Sequence, residues 1–276
     1  MKIGFIQTSP LFGNITANVE YAVEKIKSLD SDLIVLPELF STGYQFKSRK
    51  EVSLLSESVP DGYTTRMLMD TARRMKTFIV FGIAEKGRRG FYNSSVLVGP
   101  RGFISAYRKS HLFWYEKRFF SPGNTGFRVH DIGIARIGMM ICFDWVFPEV
   151  CRVLALNGAD IICHPSNLVL PHCPQAMITR CLENRVFAVT ANRVGSESRT
   201  AGSPLKFIGK SQIVDPDGRV LCRASDNKVE TMVIDINPKL ARDKRITPKN
   251  DLFVDRRVDL FIPPKFYKSR RYKVFS

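Results

Sequence analysis

The chain has 276 residues, 44% of them hydrophobic, and carries 42 Lys and Arg against 26 Asp and Glu for a net charge of +16. This is ample for a substantial buried core, and the longest apolar run is far too short to cross a bilayer. Met1-Lys2 leads directly into Ile3-Gly4-Phe5-Ile6, with no charged n-region, long h-region or cleavage site, so no secretory signal is expected.

Along the chain, strand and helix signals alternate. KIGFIQT (2–8) is predicted as a strand, and ANVEYAVEKIKSL (17–29) as a helix from the spacing of Val19, Ala22, Val23 and Ile26. DLIVLP (32–37) is a continuous apolar run of the kind a strand covered on both faces carries. A helix over 64–76 precedes the strand TFIVFGIAE (77–85), and KGRRG (86–90) turns into FYNSSVLVG and then GFISAYRK (102–109). IARIGMMI (134–141) is the next strand, followed by a helix at 148–158 that ends on Gly158. ADIICHP, a helix near 174–185, RVFAVTA, a hairpin turning at Pro216-Asp217-Gly218 and the strand ETMVIDI complete the pattern. No linker or composition break interrupts it, so one α/β domain with mixed sheets and outer helices is expected.

The charge is uneven. Between Lys239 and Ser276 lie 12 basic and 4 acidic residues, interleaved with Phe253, Phe261, Phe266, Tyr267 and Tyr272. Aromatics at that density suggest docking on a neighbouring subunit more than a free tail. Charge alone is non-specific, so nucleic-acid binding is not expected. An anion or nucleic-acid binding protein that uses this tail is nevertheless the alternative from a different functional class.

In open α/β sheets, functional groups collect just beyond the carboxyl ends of strands. Three such ends carry reactive residues here: Glu38 after DLIVLP, Lys109 at the end of GFISAYRK and Cys142 after IARIGMMI. Singly, each has a plain structural explanation. Together they make a workable set, because a thiol needs a base or a nearby cation to react. Glu38 would take the proton, Lys109 would stabilise developing negative charge, and the turn after the strand would offer the Phe143 N–H to an oxyanion.

The six cysteines, Cys142, Cys151, Cys163, Cys173, Cys181 and Cys222, include no C-x-x-C and are expected to be reduced thiols of a cytoplasmic protein. Cys163-His164 and His172-Cys173, with Cys181 beyond, lack the spacing of a structural zinc site, so no metal is expected. Cys142 paired with His111, His164 or His172 is a further possibility that sequence cannot resolve. No phosphate-binding glycine motif is present.

LPELFSTGY (36–44), YRKSHLF (107–113) and ICFDWVFPE (141–149) resemble the nitrilase superfamily of carbon–nitrogen hydrolases, and most resemble its small members from hyperthermophilic archaea. The resemblance runs from the first strand to about residue 262 and implies a Glu38–Lys109–Cys142 triad, with the family's second glutamate falling on Glu116. It implies a four-layer α-β-β-α sandwich that dimerises through helices beside the site, and chemistry without a cofactor. A hydrolase domain over 1–262 and a basic aromatic tail over 263–276 follow. The implied substrate is a small nitrile, or else an amide or N-carbamoyl compound, bound among Phe40, Tyr44, Trp114, Trp145, Ser166 and Asn167. A homodimer is also expected from the apolar surplus of Trp145–Leu156 and the helix near 174–185.

Overall fold

In a computed structural model the chain forms two compact units, Met1–Asp243 and Lys244–Ser276. The structure describes residues 1–200 and 204–260. The first unit ends before the boundary expected at 262, and the basic tail 263–276 lies outside the described residues, with Phe261 before it.

The first unit begins with β1 (Lys2–Gln7), α1 (Ile15–Lys27) and β2 (Leu33–Val35). Helices α2 (Arg49–Leu55) and α3 (Tyr63–Met75) follow, then strands β3 (Phe78–Gly87), β4 (Gly90–Gly99) and β5 (Gly102–Arg108). After the short α4 (Glu116–Phe119) come β6 (Val129–Asp131), β7 (Arg136–Met139), α5 (Pro148–Leu156) and β8 (Ile161–Pro165). The unit continues with α6 (Cys173–Asn184), β9 (Phe187–Ala191), β10 (Ser196–Glu197) and β11 (Leu205–Lys206). It closes with β12 (Gln212–Val214), β13 (Val220–Arg223) and β14 (Glu230–Asp235). The second unit holds the small hairpin β15 (Arg245–Thr247) and β16 (Asn250–Asp251).

Two six-stranded sheets result, ordered β14-β1-β2-β3-β4-β5 and β13-β12-β9-β8-β7-β6. In each, three parallel strands form the middle and antiparallel strands finish the edges. The sheets pack face to face through β1, β2 and β3 against β8 and β9. Helix α3 covers the outer face of the first sheet with α1 against it, and α5 and α6 cover the outer face of the second. The expected α-β-β-α sandwich is therefore observed.

Local sequence explains the central elements. Val19, Ala22, Val23 and Ile26 are the buried stripe of α1, whose first turn is capped by the Asn14 side chain accepting from the Ala17 N–H at 3.2 Å. All three residues of β2 are buried, which is why that segment reads as an unbroken apolar run. Helix α5 starts on Pro148 and is followed by Gly158 at φ +88°, a left-handed stop that glycine adopts without a Cβ penalty. The β12–β13 hairpin is held by Asp215, whose carboxylate accepts the N–H groups of Asp217 at 2.9 Å and Arg219 at 2.8 Å. What the periodicity did not reveal was α2, nor that β14 returns to pair antiparallel with β1.

Candidate active site

Glu38, Lys109 and Cys142 each follow the last residue of a strand or a few residues beyond it, and the face-to-face packing brings these ends together. The segment after β2 is tied to β3 through Gly82, whose N–H donates to Pro37 O at 3.1 Å and whose carbonyl accepts the Phe40 N–H at 3.2 Å. A Cβ on Gly82 would lie 2.4 Å from the Glu38 Cα, so only glycine permits this approach. Lys109 leaves β5 with its N–H on Asn93 O at 2.8 Å.

The Lys109 ammonium donates to Glu38 Oε1 at 2.6 Å and to Glu116 Oε1 at 2.8 Å. Glu38 Oε1 also accepts from the Asn93 amide at 2.6 Å. Glu116 Oε1 accepts the Tyr44 hydroxyl at 2.7 Å, and Oε2 the Phe113 N–H at 3.1 Å. All these polar groups are buried apart from the partly buried Tyr44 and Phe113. Glu38 Oε2 is buried and has no hydrogen-bond partner among the described residues.

The electrostatics follow from burial and close charges. Burial opposes the Lys109 charge, but the carboxylates of Glu116 and Glu38 outweigh it and hold the ammonium well above the usual lysine value. Burial raises Glu116 above the ordinary carboxyl range; Lys109 counteracts this and Glu38 adds to it. Burial also pushes the Cys142 thiol well up, reinforced by Glu38 and partly offset by Lys109. Cys142 is thus a buried thiol on whose ionisation the Glu38 carboxylate and the Lys109 ammonium act in opposite directions.

Cys142 opens a 3-10 turn, Cys142–Val146, shortly after β7. Its φ of +40° is left-handed, a conformation that costs a non-glycine residue about 1–3 kcal/mol and persists only where the surroundings enforce it. The enforcing bonds are visible. The Ile141 N–H donates to Asp144 Oδ2 at 2.9 Å, and the Asp144 N–H donates back to Ile141 O at 3.0 Å. On the other side His164 Nε2 lies 2.9 Å from the Cys142 carbonyl oxygen. The Asn167 N–H bonds towards the thiol and favours its ionised form.

The contacts of His111 and His164 lie elsewhere than the Cys142 thiol. Burial lowers His164 to about 4, and its ring bonds the Cys142 backbone, with Ser166 Oγ at 3.1 Å and Thr190 Oγ1 at 3.2 Å. His111 Nδ1 is 2.7 Å from Asp144 Oδ1. Neither forms a thiol–imidazole pair in the structure. Among the described residues no group of three or more His, Cys, Asp or Glu is placed to hold a metal ion.

Of the expected pocket residues, Phe143, Trp145 and Asn167 line a narrow recess at Cys142 together with Phe113 and Leu168, with a volume of about 20 Å³. That is roughly what one water needs. Asn167 also donates to the Glu38 carbonyl at 2.8 Å. Tyr44 and Trp114 line a separate cleft of about 600 Å³ that reaches Glu116, with Lys47 and Arg118 also in its wall. Trp114 is 57% exposed and marks its rim. Phe40 corrects the expectation: it is buried in the core of the first sheet, edge-on to Phe81. Ser166 supports His164 and lines neither cavity. Asn93 and Asp144 were not anticipated. The available signal was a fully buried asparagine in a strand segment, a residue type that strands disfavour.

The carbon–nitrogen hydrolase family profile matches residues 2–246. The chain is 50% identical over 264 residues to a nitrilase of Pyrococcus abyssi (strain GE5 / Orsay), covering 95% of this chain and 99% of that one. It is 36% identical over 238 residues to an (R)-stereoselective amidase of a Pseudomonas species, covering 84% of each. Among solved structures, a carbon–nitrogen hydrolase from Helicobacter pylori G27 superposes with a TM-score of 0.85 at 25% identity, covering 95% of this chain and 96% of that one.

Proposed function

The chain belongs to the carbon–nitrogen hydrolase family of the nitrilase superfamily, and on that premise we propose that it converts a small nitrile to its carboxylic acid and ammonia, without a cofactor, on Cys142. The observation that carries this reading is the buried Lys109 ammonium held between Glu38 and Glu116 beside the thiol. Glu38 takes the thiol proton as Sγ attacks the nitrile carbon. Glu38 then passes that proton to the nitrogen, which gives a thioimidate and restores the carboxylate. Lys109 and the Phe143 N–H hold the negative charge that develops in this step. A water that gives its proton to Glu38 adds to the thioimidate carbon and ammonia leaves, forming a thioester. A second water hydrolyses the thioester, releasing the acid and restoring the thiol. Glu116, fixed by Tyr44 and the Phe113 N–H, orients Lys109.

An amide or N-carbamoyl substrate would enter the same pathway at the thioester stage, and the relatedness to an amidase supports this as the second reading. In either case Lys47 and Arg118 in the cleft wall favour neutral or anionic substrates over amines. The half-exposed apolar residues Val153 and Leu156 of α5 and Leu182 of α6 support a homodimer on these helices. No described helix is long and apolar enough to cross a membrane, and six free thiols suit a reducing cytoplasm. A panel of nitriles, amides and N-carbamoyl compounds assayed for ammonia, with Cys142→Ala alongside, tests the proposal. Turnover that Cys142→Ala abolishes, with an acyl adduct on Cys142 by intact mass, is the expected result. Full activity in Cys142→Ala overturns it.

A further inference from the structure

We propose that Asp144 is a positioning residue for this reaction, its buried carboxylate tying the segment that carries Lys109 to the turn that carries Cys142. The inference rests on the hydrolase reading above. Asp144 is fully buried and its two oxygens accept from two different parts of the chain. On the Cys142 side, Oδ2 takes the N–H of Ile141, the residue immediately before the nucleophile, at 2.9 Å. On the Lys109 side, Oδ2 takes the Tyr107 hydroxyl at 2.8 Å, while Oδ1 takes the His111 N–H at 3.2 Å and lies 2.7 Å from His111 Nδ1.

Tyr107 and His111 stand two residues before and two after Lys109. Tyr107 lies in β5 of the first sheet, whereas Ile141 follows β7 of the second. One carboxylate thus fixes the register of two sheets at the point where their reactive groups must meet. The His111 ring is also stacked on Phe147 at 3.7 Å, and the Tyr107 hydroxyl bonds Ser110 at 3.1 Å, so the donors are themselves held in place. His164 grips the opposite side of Cys142 through its carbonyl. With the Asp144 side-chain bonds removed, the Ile141 N–H loses its partner and the Asp144 N–H on Ile141 O is left to hold the turn at a nucleophile whose own φ is left-handed.

Misplacement of a reacting group by about 1 Å costs on the order of a hundredfold in rate. Asp144→Asn puts an N–H₂ group where donors converge and should lower kcat by about that factor while KM stays within about threefold. Tyr107→Phe and His111→Phe each remove one donor and keep the ring packing. They should give smaller losses that combine non-additively with Asp144→Asn. Site-resolved iodoacetamide labelling separates positioning from stability. Labelling of Cys142 should slow with kcat, while the half-buried Cys222 on β13 labels at the wild-type rate.

Faster labelling of the fully buried Cys151, Cys163, Cys173 and Cys181, together with a kcat loss that tracks the folded fraction, would show a merely structural role and overturn the proposal. Should Asp144→Asn not fold, wild-type kcat and wild-type Cys142 labelling in both donor variants would overturn it as well. An inactive Cys142→Ala beside fully active Asp144 and donor variants would reject the positioning role and leave the hydrolase reading standing. An active Cys142→Ala would reject both.

Discussion

Replacing Lys109 with methionine removes one charge and little volume, so its consequences can be worked out from the contacts. In the native site the ammonium lies 2.6 Å from Glu38 Oε1 and 2.8 Å from Glu116 Oε1. Its loss leaves two buried carboxyl groups facing a neutral side chain. Breaking a buried ion pair from one side costs about 3–5 kcal/mol, which for a chain of this size lowers Tm by roughly 6–20 °C. The chemical step loses a donor to the developing anion, worth about 10²–10³ in kcat. The two effects separate if kinetics are measured well below the variant's own melting temperature.

The pH dependence of Lys109→Met has a definite sign. In the wild type, burial and Glu38 raise Glu116 while Lys109 and, to a smaller extent, the Tyr44 hydrogen bond lower it; without Lys109 the largest lowering influence is gone. A carboxyl whose folded pKa is raised binds a proton in the folded state that the unfolded state has released. Its contribution is fully present below the unfolded carboxyl pKa and is lost as pH rises through the folded value, by up to about 1.4 kcal/mol per pH unit. The melting temperature of Lys109→Met should therefore fall as pH rises above the ordinary carboxyl range, more steeply than in the wild type. Ammonia-release kinetics and melting curves across that range provide the assay. A variant whose KM rises with kcat unchanged, or whose Tm is flat or rises with pH, would refute the reasoning.

Further outcomes follow from the same geometry. Glu38→Gln should form almost no acyl-enzyme by intact mass, because Glu38 Oε2 is the unpartnered oxygen; rapid acylation would remove Glu38 from the base role. Glu116→Gln should bind substrate and react slowly, since it can still meet Tyr44 while holding Lys109 less firmly, and a wild-type rate would reject that role. Gly82→Ala forces a Cβ to 2.4 Å from the Glu38 Cα, so overpacking of about 1–3 kcal/mol should appear as a lower Tm together with a lower kcat. A variant unchanged in both would contradict the close approach. Light scattering should report a dimer that Leu156→Asp weakens; a stable wild-type monomer would refute the proposed assembly.

Local sequence sufficed wherever the signal was periodic or stereochemical. The stripe of α1, the apolar run of β2, the glycine stop after α5 and the Pro-Asp-Gly hairpin are set by neighbours within one or two turns, so burial or backbone angle can be read from residue type. Glu38, Lys109 and Cys142 were picked out for a related reason: each sits just past a strand end, where functional groups collect in α/β sheets, although β5 before Lys109 is an edge strand paired antiparallel with β4. Other features depended on which surfaces meet. Phe40 is as aromatic as Tyr44, yet one fills the core of the first sheet and the other donates to Glu116, because the chain turns between them. Asp144 looks like an ordinary polar residue of a turn until the end of β5 meets the segment after β7, when it accepts from Tyr107 and His111 as well as from Ile141. Periodicity and spacing encode what one segment presents, whereas a carboxylate shared by two sheets, or a glycine that must clear the Glu38 backbone, exists only after distant segments have packed.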